Sequence, residues 1–260
     1  MHEYEAIITR TEPIGRSIFL LEIDAPELSG SVTPGQFLQM RAGEGTDPFL
    51  RRTVSVCGAD PAAGIIRLVI EVIGRGTEFL CSRSNSTPVN VIGPLGNGFE
   101  LAIPENGPVW MVAGGIGAAP LIFLSNELNR LNGNELTFFA GARHREGIAI
   151  VDRLLAQVIP VEKSTDDGSV GHHGFVTELV AARMKKTVPS VIHTCGPRAM
   201  MREVSLLAAH AGCRCEVSLE ERMACGMGAC YGCTVKLTTG RMARVCTEGP
   251  VFDSGMIAWE

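Results

Sequence analysis

The chain has 260 residues, of which 45% are hydrophobic and 20% are charged, and its net charge is −5. These proportions are typical of a folded globular chain, so they exclude a disordered or fibrous protein as the overall class. A net negative charge also disfavours binding to a phosphate backbone, and we therefore expect no nucleic-acid partner.

The sequence also predicts a protein without a membrane segment. The N-terminal residues lack the apolar core of a signal peptide, and the longest uncharged stretch, residues 106–126, is interrupted by glycines and prolines. A strand, a glycine turn and a helix account for this stretch better than one membrane-spanning helix. We therefore expect a location in the reducing cytoplasm, where disulfides are rare.

The first 102 residues predict an antiparallel β structure. Short apolar, alternating segments recur and are separated by Gly, Pro, Ser and Asp, as expected of a barrel or a sandwich. The predicted strands are residues 4–9, 17–23, 37–41, 53–57, 65–73 and 89–92. We assign residues 1–102 to an N-terminal domain of this kind, with a barrel as the expected fold.

From residue 103 the pattern changes to alternating strands and helices. Apolar runs at residues 109–113, 136–140 and 191–194 predict strands, and residues 119–131, 151–157, 176–184 and 198–211 predict helices. Such alternation indicates a parallel sheet that is covered by helices on both faces. We assign residues 103–211 to a central α/β nucleotide-binding domain.

The last segment, residues 212–260, is rich in cysteine and glycine and has too few apolar residues for an independent core. Cys225, Cys230 and Cys233 are spaced C-x4-C-x2-C, and Cys246 follows after twelve residues, as in plant-type [2Fe–2S] proteins. Glycines between the first three cysteines allow the tight wrapping that such a loop needs. A zinc knot is the alternative, but zinc ligands usually come as two close pairs.

Two short motifs of the N-terminal domain point to a flavin nucleotide. Arg52 and Ser55 stand three residues apart, so on an extended strand they span ~10 Å and can contact one nucleotide at different points. The Arg52 guanidinium can pair with pyrophosphate, and the Ser55 hydroxyl can reach the flavin ring. Gly76 and Thr77 follow the next predicted strand and can offer amide and hydroxyl donors to phosphate.

A second nucleotide site is predicted in the central domain, for a nicotinamide cofactor. Gly114, Gly115 and Gly117 follow an apolar strand and open a helix, where free N–H groups and the helix dipole favour phosphate. Residues 195–197, Cys-Gly-Pro, follow another strand, and turns at the carboxyl ends of parallel strands line ligand sites. We interpret Cys195, Gly196 and Pro197 as a wall of this site, and Cys195 as a nucleophile only as the lesser alternative.

These motifs occur in one order that resembles a known family. RRTVS (51–55), GRGT (74–77), AGGIGAAP (113–120), HTCGP (193–197) and CGMGACYGC (225–233) are similar to those of ferredoxin–NADP reductase-type flavoproteins with a C-terminal [2Fe–2S] domain. More closely, the chain resembles the electron-transfer subunits of NAD-dependent (class 1B) dihydroorotate dehydrogenases. The resemblance covers nearly the whole chain. One departure is Thr53, where the family commonly has proline; an extended threonine can take its place.

The resemblance implies the site residues. Cys225, Cys230, Cys233 and Cys246 would ligate the cluster, and the turns at Gly114–Gly117 and Cys195–Pro197 would bind NAD. FAD would be held by Arg52, Thr53, Val54, Ser55, Val69, Ile70, Glu71, Gly76 and Thr77.

The resemblance also implies a function and a partner. Electrons would pass from the FMN of a dihydroorotate dehydrogenase catalytic subunit through [2Fe–2S] and FAD to NAD+, in pyrimidine (UMP) biosynthesis. The expected assembly is a heterotetramer with two copies of each subunit. Three alternatives stay open: the small subunit of a related ferredoxin:NADP oxidoreductase or sulfide dehydrogenase, a stand-alone NADH-dependent reductase that serves an oxygenase, and a zinc-stabilised nucleotide-binding module.

Overall fold

Antiparallel strands of the N-terminal region close into a barrel in the computed structural model, which describes residues 2–43, 45–83, 85–102, 107–132, 135–155, 157 and 159–259. The strands are β1 (His2–Pro13), β2 (Ile18–Asp24), β3 (Phe37–Met40), β4 (Arg52–Asp60), β5 (Ile65–Glu71) and β6 (Thr87–Leu95). They are neighbours in the order β1-β2-β5-β4-β3-β6, and neighbouring strands run antiparallel. The predicted barrel is confirmed.

Two short helices, α1 (Pro26–Ser29) and α2 (Arg75–Cys81), connect strands of the barrel. β5 ends at Glu71, so the motif that begins at Gly74 is the start of α2 rather than an open turn. The Thr77 hydroxyl accepts the N–H groups of Ile73 at 3.0 Å and Gly74 at 3.3 Å. It thereby satisfies backbone donors where the chain enters the helix.

A seven-stranded sheet forms the centre of the chain within the described residues. The strands after residue 107 are β7 (Val109–Gly114), β8 (Leu136–Ala142), β9 (Val161–Thr165), β10 (His172–His173), β11 (Val191–Cys195), β12 (Arg214–Ser218), β13 (Thr234–Lys236), β14 (Met242–Arg244) and β15 (Val251–Asp253). The sheet order is β10-β9-β8-β7-β11-β12-β15, parallel except for β15 at its edge. The predicted parallel α/β architecture is confirmed.

Helices cover this sheet: α3 (Ala118–Asn132), α4 (Arg145–Leu154), α5 (Val176–Met184) and α6 (Arg198–Ala211). A short helix, α7 (Val245–Glu248), follows β14 in the cluster segment. α5 and α6 have the predicted bounds. α4 begins six residues before the predicted helix 151–157 and ends at Leu154, before the predicted end of that helix. Residue 156 lies outside the described residues. Gly147 disfavours a helix locally, but burial of Ile148 and Val151 on one face outweighs that preference.

The cluster segment shares its core with the central sheet. β12 pairs in parallel with β11, and β15 pairs with β12, so both belong to the sheet although they lie after residue 211. β13 and β14 form a separate hairpin, and Val235 and Ala243 of this hairpin belong to the same apolar core as Trp110. The domain boundaries after residues 102 and 211 stay predictions, and residues 103–106 lie outside the described part of the chain. None of the described helices is long and apolar enough to span a membrane.

Candidate functional site

Arg52 and Gly76, predicted from separate motifs, are in direct contact. Arg52 begins β4, and Gly76 is the second residue of α2. A Cβ atom added to Gly76 would lie 2.1 Å from Arg52 Nε and 2.3 Å from its Cζ, so a side chain here would displace the guanidinium from this position. The contact holds a permanent positive charge at the first turn of α2, an arrangement that fits a pyrophosphate.

The donors that α2 can offer are backbone groups rather than the Thr77 hydroxyl. Besides accepting two N–H groups, this hydroxyl donates to the Gly74 carbonyl at 3.0 Å. The first intrahelical bond runs from Glu78 N–H to the Gly74 carbonyl. The N–H groups of the preceding helical residues have no acceptor within the helix, as at any helix start. Gly76 and Thr77 can therefore supply amide donors to a phosphate.

Arg51, adjacent to Arg52, is engaged within the barrel. Its Nη2 lies 2.9 Å from Glu3 Oε1 of β1. Its Nη1 donates to the Asn90 carbonyl of β6 at 3.2 Å. Arg51 thus links strands of the barrel wall, and this leaves Arg52 as the arginine that faces α2.

The other predicted flavin residues lie on β4 and β5 and alternate between the two faces of the barrel wall. Val54 and Ile70 pack in the barrel interior, so only their main-chain atoms can meet a ligand. Val69 packs in the core that the barrel shares with the central domain. Thr53 and Glu71 are exposed to solvent.

Gln39 is a residue of this region that no motif identified. It is buried on β3 and opposite Thr53 of β4, and its Nε2 donates to the Thr53 hydroxyl at 2.8 Å. The sequence signal that could have identified it is a glutamine within an otherwise apolar strand. Burial of an amide is costly unless the amide is hydrogen-bonded, so such a residue points to a specific partner.

The two glycine turns of the central domain pack against each other, main chain on main chain. A Cβ atom added to Gly117 would lie 2.6 Å from the carbonyl oxygen of Cys195. One added to Gly196, whose φ is +148°, would lie 2.8 Å from Gly114 Cα. A Cβ on Gly114 would lie 2.5 Å from Pro197 Cδ. The structure therefore brings both predicted turns to one edge of the sheet, where open α/β sheets bind ligands.

Cys195 is poorly suited to act as a nucleophile. Burial raises the pKa of its thiol well above the usual value, and the nearby carboxylate of Glu220 raises it further. Because the thiolate is the reactive form, this environment favours the interpretation of Cys195 as a wall of the site.

Glu220 is a second residue that the sequence analysis missed. β12 ends at Ser218, which pairs with Cys195, and Glu220 follows two residues later at the same edge of the sheet. Desolvation by the surrounding protein, and then the charge of Glu71, raise the pKa of Glu220, although the residue keeps contact with solvent. Prediction of β12 from the sequence would have placed Glu220 at this edge of the sheet. Cys195 ends β11, Glu220 follows β12, and the charge of Glu71 at the end of β5 acts on Glu220.

Backbone N–H groups surround the sulfurs of the four predicted ligands. Gly228 N–H donates to Cys246 Sγ at 3.2 Å, Cys246 N–H to Cys233 Sγ at 3.4 Å, and Cys230 N–H to Cys225 Sγ at 3.4 Å. The φ angles of the two intervening glycines, +68° at Gly226 and +82° at Gly228, permit the tight loop that exposes these amides. Such N–H···S bonds are the contacts that tune a thiolate cluster.

The four thiols fall into interacting pairs, Cys225 with Cys230 and Cys233 with Cys246. Partial burial raises the pKa of Cys225, but N–H donors from Met227 and Cys230 outweigh it and lower the pKa to about 6. Among the described residues, no group of three or more His, Cys, Asp or Glu is arranged to hold a single metal ion. The spacing of the four cysteines, with three of them in one loop, is the feature that favours a two-iron cluster with four thiolates over a zinc knot.

The other cysteines are free thiols, like all nine in the described chain. Burial raises the pKa of Cys57, Cys81 and Cys215 to about 12, and that of the half-buried Cys213 to about 11. Because the thiolate is the metal-ligating form, these raised pKa values favour the interpretation of the four as apolar side chains rather than ligands.

Comparisons with known proteins agree with this geometry. Residues 220–258 match the model of the iron-sulfur cluster binding domain of dihydroorotate dehydrogenase B. The chain is 40% identical over 260 residues to a protein of Desulforamulus reducens, with 99% of this chain and 98% of that protein covered. It is 38% identical over 221 residues to one of Clostridium acetobutylicum, covering 85% and 84%. Both carry the name dihydroorotate dehydrogenase B (NAD(+)), electron transfer subunit.

Among solved structures, the NADH-dependent reduced ferredoxin-NADP oxidoreductase, described for flavin-based electron bifurcation, superposes with a TM-score of 0.87. It is 29% identical in sequence, and 98% of this chain and 90% of that chain are covered. The match spans the barrel, the central sheet and the cluster segment. Sequence and structure therefore agree that the chain belongs to the family of electron-transfer subunits of the NAD(+)-dependent dihydroorotate dehydrogenase B.

Proposed function

We propose that this chain carries electrons from the FMN of a dihydroorotate dehydrogenase catalytic subunit through a [2Fe–2S] cluster and FAD to NAD+, in pyrimidine (UMP) biosynthesis. FAD, [2Fe–2S] and NAD are the cofactors of the family. The observation that carries the proposal is the proximity of the predicted sites. Gln39 contacts both Thr53 on the flavin side and Gly226 in the cluster loop. Glu220 acts electrostatically on Cys195 of the nicotinamide wall, and Glu71 of the flavin strand β5 acts on Glu220.

The barrel binds FAD in this proposal. Arg52 neutralises the pyrophosphate, and the N–H groups of Gly76 and Thr77 donate to it. The strand segments Thr53–Ser55 and Val69–Glu71 line the remainder of the site. Flavin, when bound, exchanges electrons singly on one side and in pairs on the other, which suits a junction between a cluster and a nicotinamide.

The central domain binds NAD between its two glycine turns. The N–H groups of Gly114, Gly115 and Gly117, in the turn between the end of β7 and the start of α3, favour the phosphates. Cys195, Gly196 and Pro197 form the wall beside the nicotinamide. The protonated thiol of Cys195 keeps charge out of this wall, because its burial disfavours the thiolate.

The four cysteines Cys225, Cys230, Cys233 and Cys246 hold the cluster. Cys233 and Cys246 are buried in the core shared with the central sheet, whereas Cys230 is exposed at the surface. An exposed ligand gives the cluster one side on which a second redox centre can approach. The need for reduced thiols also supports a cytoplasmic location.

The surface around Cys230 supports a protein partner. Tyr231 is 63% exposed and Met227 is 43% exposed. Tyr231 has a φ of +59°, rare for a residue other than glycine, and the Arg244 guanidinium lies 5.2 Å from the centre of its ring. Met223, in contrast, packs against the core. We infer that Met227 and Tyr231 contact the FMN subunit in a heterotetramer with two copies of each chain.

The test is reconstitution from separate subunits. The purified chain with FAD and cluster should pass electrons from NADH to an artificial dye. It should show no dihydroorotate oxidation until an FMN-containing catalytic subunit is added, and NAD+ should then be reduced. Dihydroorotate turnover by the isolated chain, or no turnover with the catalytic subunit present, would overturn the proposal.

The likeness to the NADH-dependent reduced ferredoxin-NADP oxidoreductase supports a second candidate, the small subunit of a related flavin/iron–sulfur enzyme. The cofactors and their order would be the same, and only the partner would differ. Affinity purification from the native cell, with identification of the co-purifying chain, separates the two candidates.

A further inference from the structure

Gln39 occupies an unusual place on the barrel. It lies on β3, where it pairs with Thr53 of β4 on one side and with Ile92 of β6 on the other. The side chain shares a face of the sheet with Thr53, yet Gln39 is 1% exposed while Thr53 is exposed. Something must therefore cover this amide from outside the barrel.

The cover is the cluster loop. A Cβ atom added to Gly226 would lie 2.7 Å from Gln39 Nε2 and 2.8 Å from its Cγ. The main chain next to the ligand Cys225 therefore rests on the plane of the Gln39 amide. On the other side, the same amide donates to the Thr53 hydroxyl at 2.8 Å. One side chain thus touches both the flavin strand and the cluster loop.

Stability does not account for a glutamine here. Among the described residues, Gln39 Oε1 is buried and finds no hydrogen-bond partner. If the amide is turned by 180°, the Thr53 hydroxyl can donate to the oxygen, but the NH2 group then loses its acceptor. A buried polar atom without a partner is unfavourable, and an apolar residue of similar shape would avoid that penalty.

We propose that Gln39 is a positioning residue that holds the cluster loop against the flavin-binding strand and thereby fixes the spacing between the two redox centres. The proposal rests on the proposed function only for the presence of FAD and the cluster. The rate of electron transfer falls steeply with the distance between the two redox centres. It is higher through a hydrogen bond and a packed contact than across a gap. Gln39 supplies one hydrogen bond and one close packed contact between the two sites.

The test compares Gln39→Met with the wild-type holoprotein. Methionine keeps the length of the side chain but removes both polar atoms. After mixing with NADH, reduction of FAD and then of the cluster are followed by their absorbance. FAD reduction should keep its rate, because the nicotinamide site is untouched. Cluster reduction should be up to about fivefold slower, because loss of a hydrogen bond of ~1 kcal/mol lowers the ratio of docked to undocked cluster loop by that factor.

A second readout needs no turnover. Visible circular dichroism of bound FAD is recorded with the cluster present and in the cluster-free Cys230→Ser background. Cluster loss should change the flavin signal when Gln39 is present and leave it unchanged in Gln39→Met. Equal changes in both chains would show that Gln39 does not couple the sites.

Gln36→Met is the matched control. Gln36 donates to the Gly96 carbonyl at 2.9 Å and accepts the Thr33 N–H at 2.9 Å, so both ends of its amide are paired within the N-terminal domain. Neither rate should change in this variant. Gln39→Leu repeats the test if methionine impairs folding.

Besides equal changes of circular dichroism, three results would overturn the proposal: equal slowing of both steps, slowing of neither, or joint loss of FAD and iron in both Gln39 variants. The assay uses NADH and needs no partner subunit. If the proposed catalytic partner is wrong, the outcome of the Gln39 assay still holds. If the Gln39 proposal is wrong, the reconstitution assay with the partner subunit is unaffected.

Discussion

Gly117 lies against the main chain of Cys195, so close that a Cβ atom on Gly117 would sit 2.6 Å from the Cys195 carbonyl oxygen. The contact joins the turn after β7 to the turn after β11. It has no flexible side chain that could move aside, because both partners are backbone.

Gly117→Ala should therefore separate the two turns and weaken NADH binding. Overpacking of this kind costs ~1–3 kcal/mol, and we expect a lower melting temperature together with a raised Kd for NADH. Isothermal titration with NADH checks the second effect. Gly30→Ala is the control, since a Cβ at Gly30 meets no atom within 4 Å. Unchanged NADH affinity in Gly117→Ala would contradict the assignment of this turn.

Arg52→Ala should release FAD. A charge-assisted contact to pyrophosphate is worth about 1.5–3 kcal/mol, which is about one to two decades in affinity. FAD retained after gel filtration measures the effect. Arg51→Ala should keep FAD, because Arg51 pairs with Glu3 and Asn90 instead. If the two variants retain FAD equally, the pyrophosphate contact lies elsewhere.

Cys230→Ser should lose iron or hold it only weakly, while FAD stays bound through Arg52 and α2. Iron content per chain and the visible absorbance of the cluster are the measurements. Cys213→Ser is the control, since burial raises the pKa of Cys213 to about 11 and this thiol is no expected ligand. A wild-type iron content in Cys230→Ser would disprove the ligand assignment.

Glu220 should make stability depend on pH. Its pKa is raised in the folded chain by desolvation and by Glu71, so the folded state binds this proton more tightly than the unfolded state. The stabilisation is complete below the usual value of 4.5 and is lost as the pH rises through the folded pKa.

Urea unfolding across this range measures that dependence. The fall in the free energy of unfolding above pH 4.5 should be smaller in Glu220→Gln, which cannot titrate. It should also be smaller in Glu71→Gln, which removes the repelling charge. If the free energy of unfolding falls with pH as steeply in both variants as in the wild-type chain, this role of Glu220 is ruled out.

The sequence by itself determined those features whose causes are local. α6 begins after Pro197 and ends at Gly212, which has a φ of +68°, so its two ends are set by adjacent residues. The cluster cysteines were found from spacing, because three ligands lie within one loop. Strand alternation and the glycine turns identified the barrel and the parallel sheet. Local propensity misled where burial opposed it, as at Gly147 in α4.

Tertiary structure alone decided which distant residues meet. β12 joins the central sheet through pairing with β11, and β15 joins it through pairing with β12. No local pattern states which strand such a short segment will pair with. The contact of Gly226 with Gln39, and the electrostatic influence of Glu220 on Cys195, join segments that are far apart in the chain. No fixed spacing in the sequence relates these residues to one another. They become neighbours only when the barrel, the sheet and the cluster segment pack together.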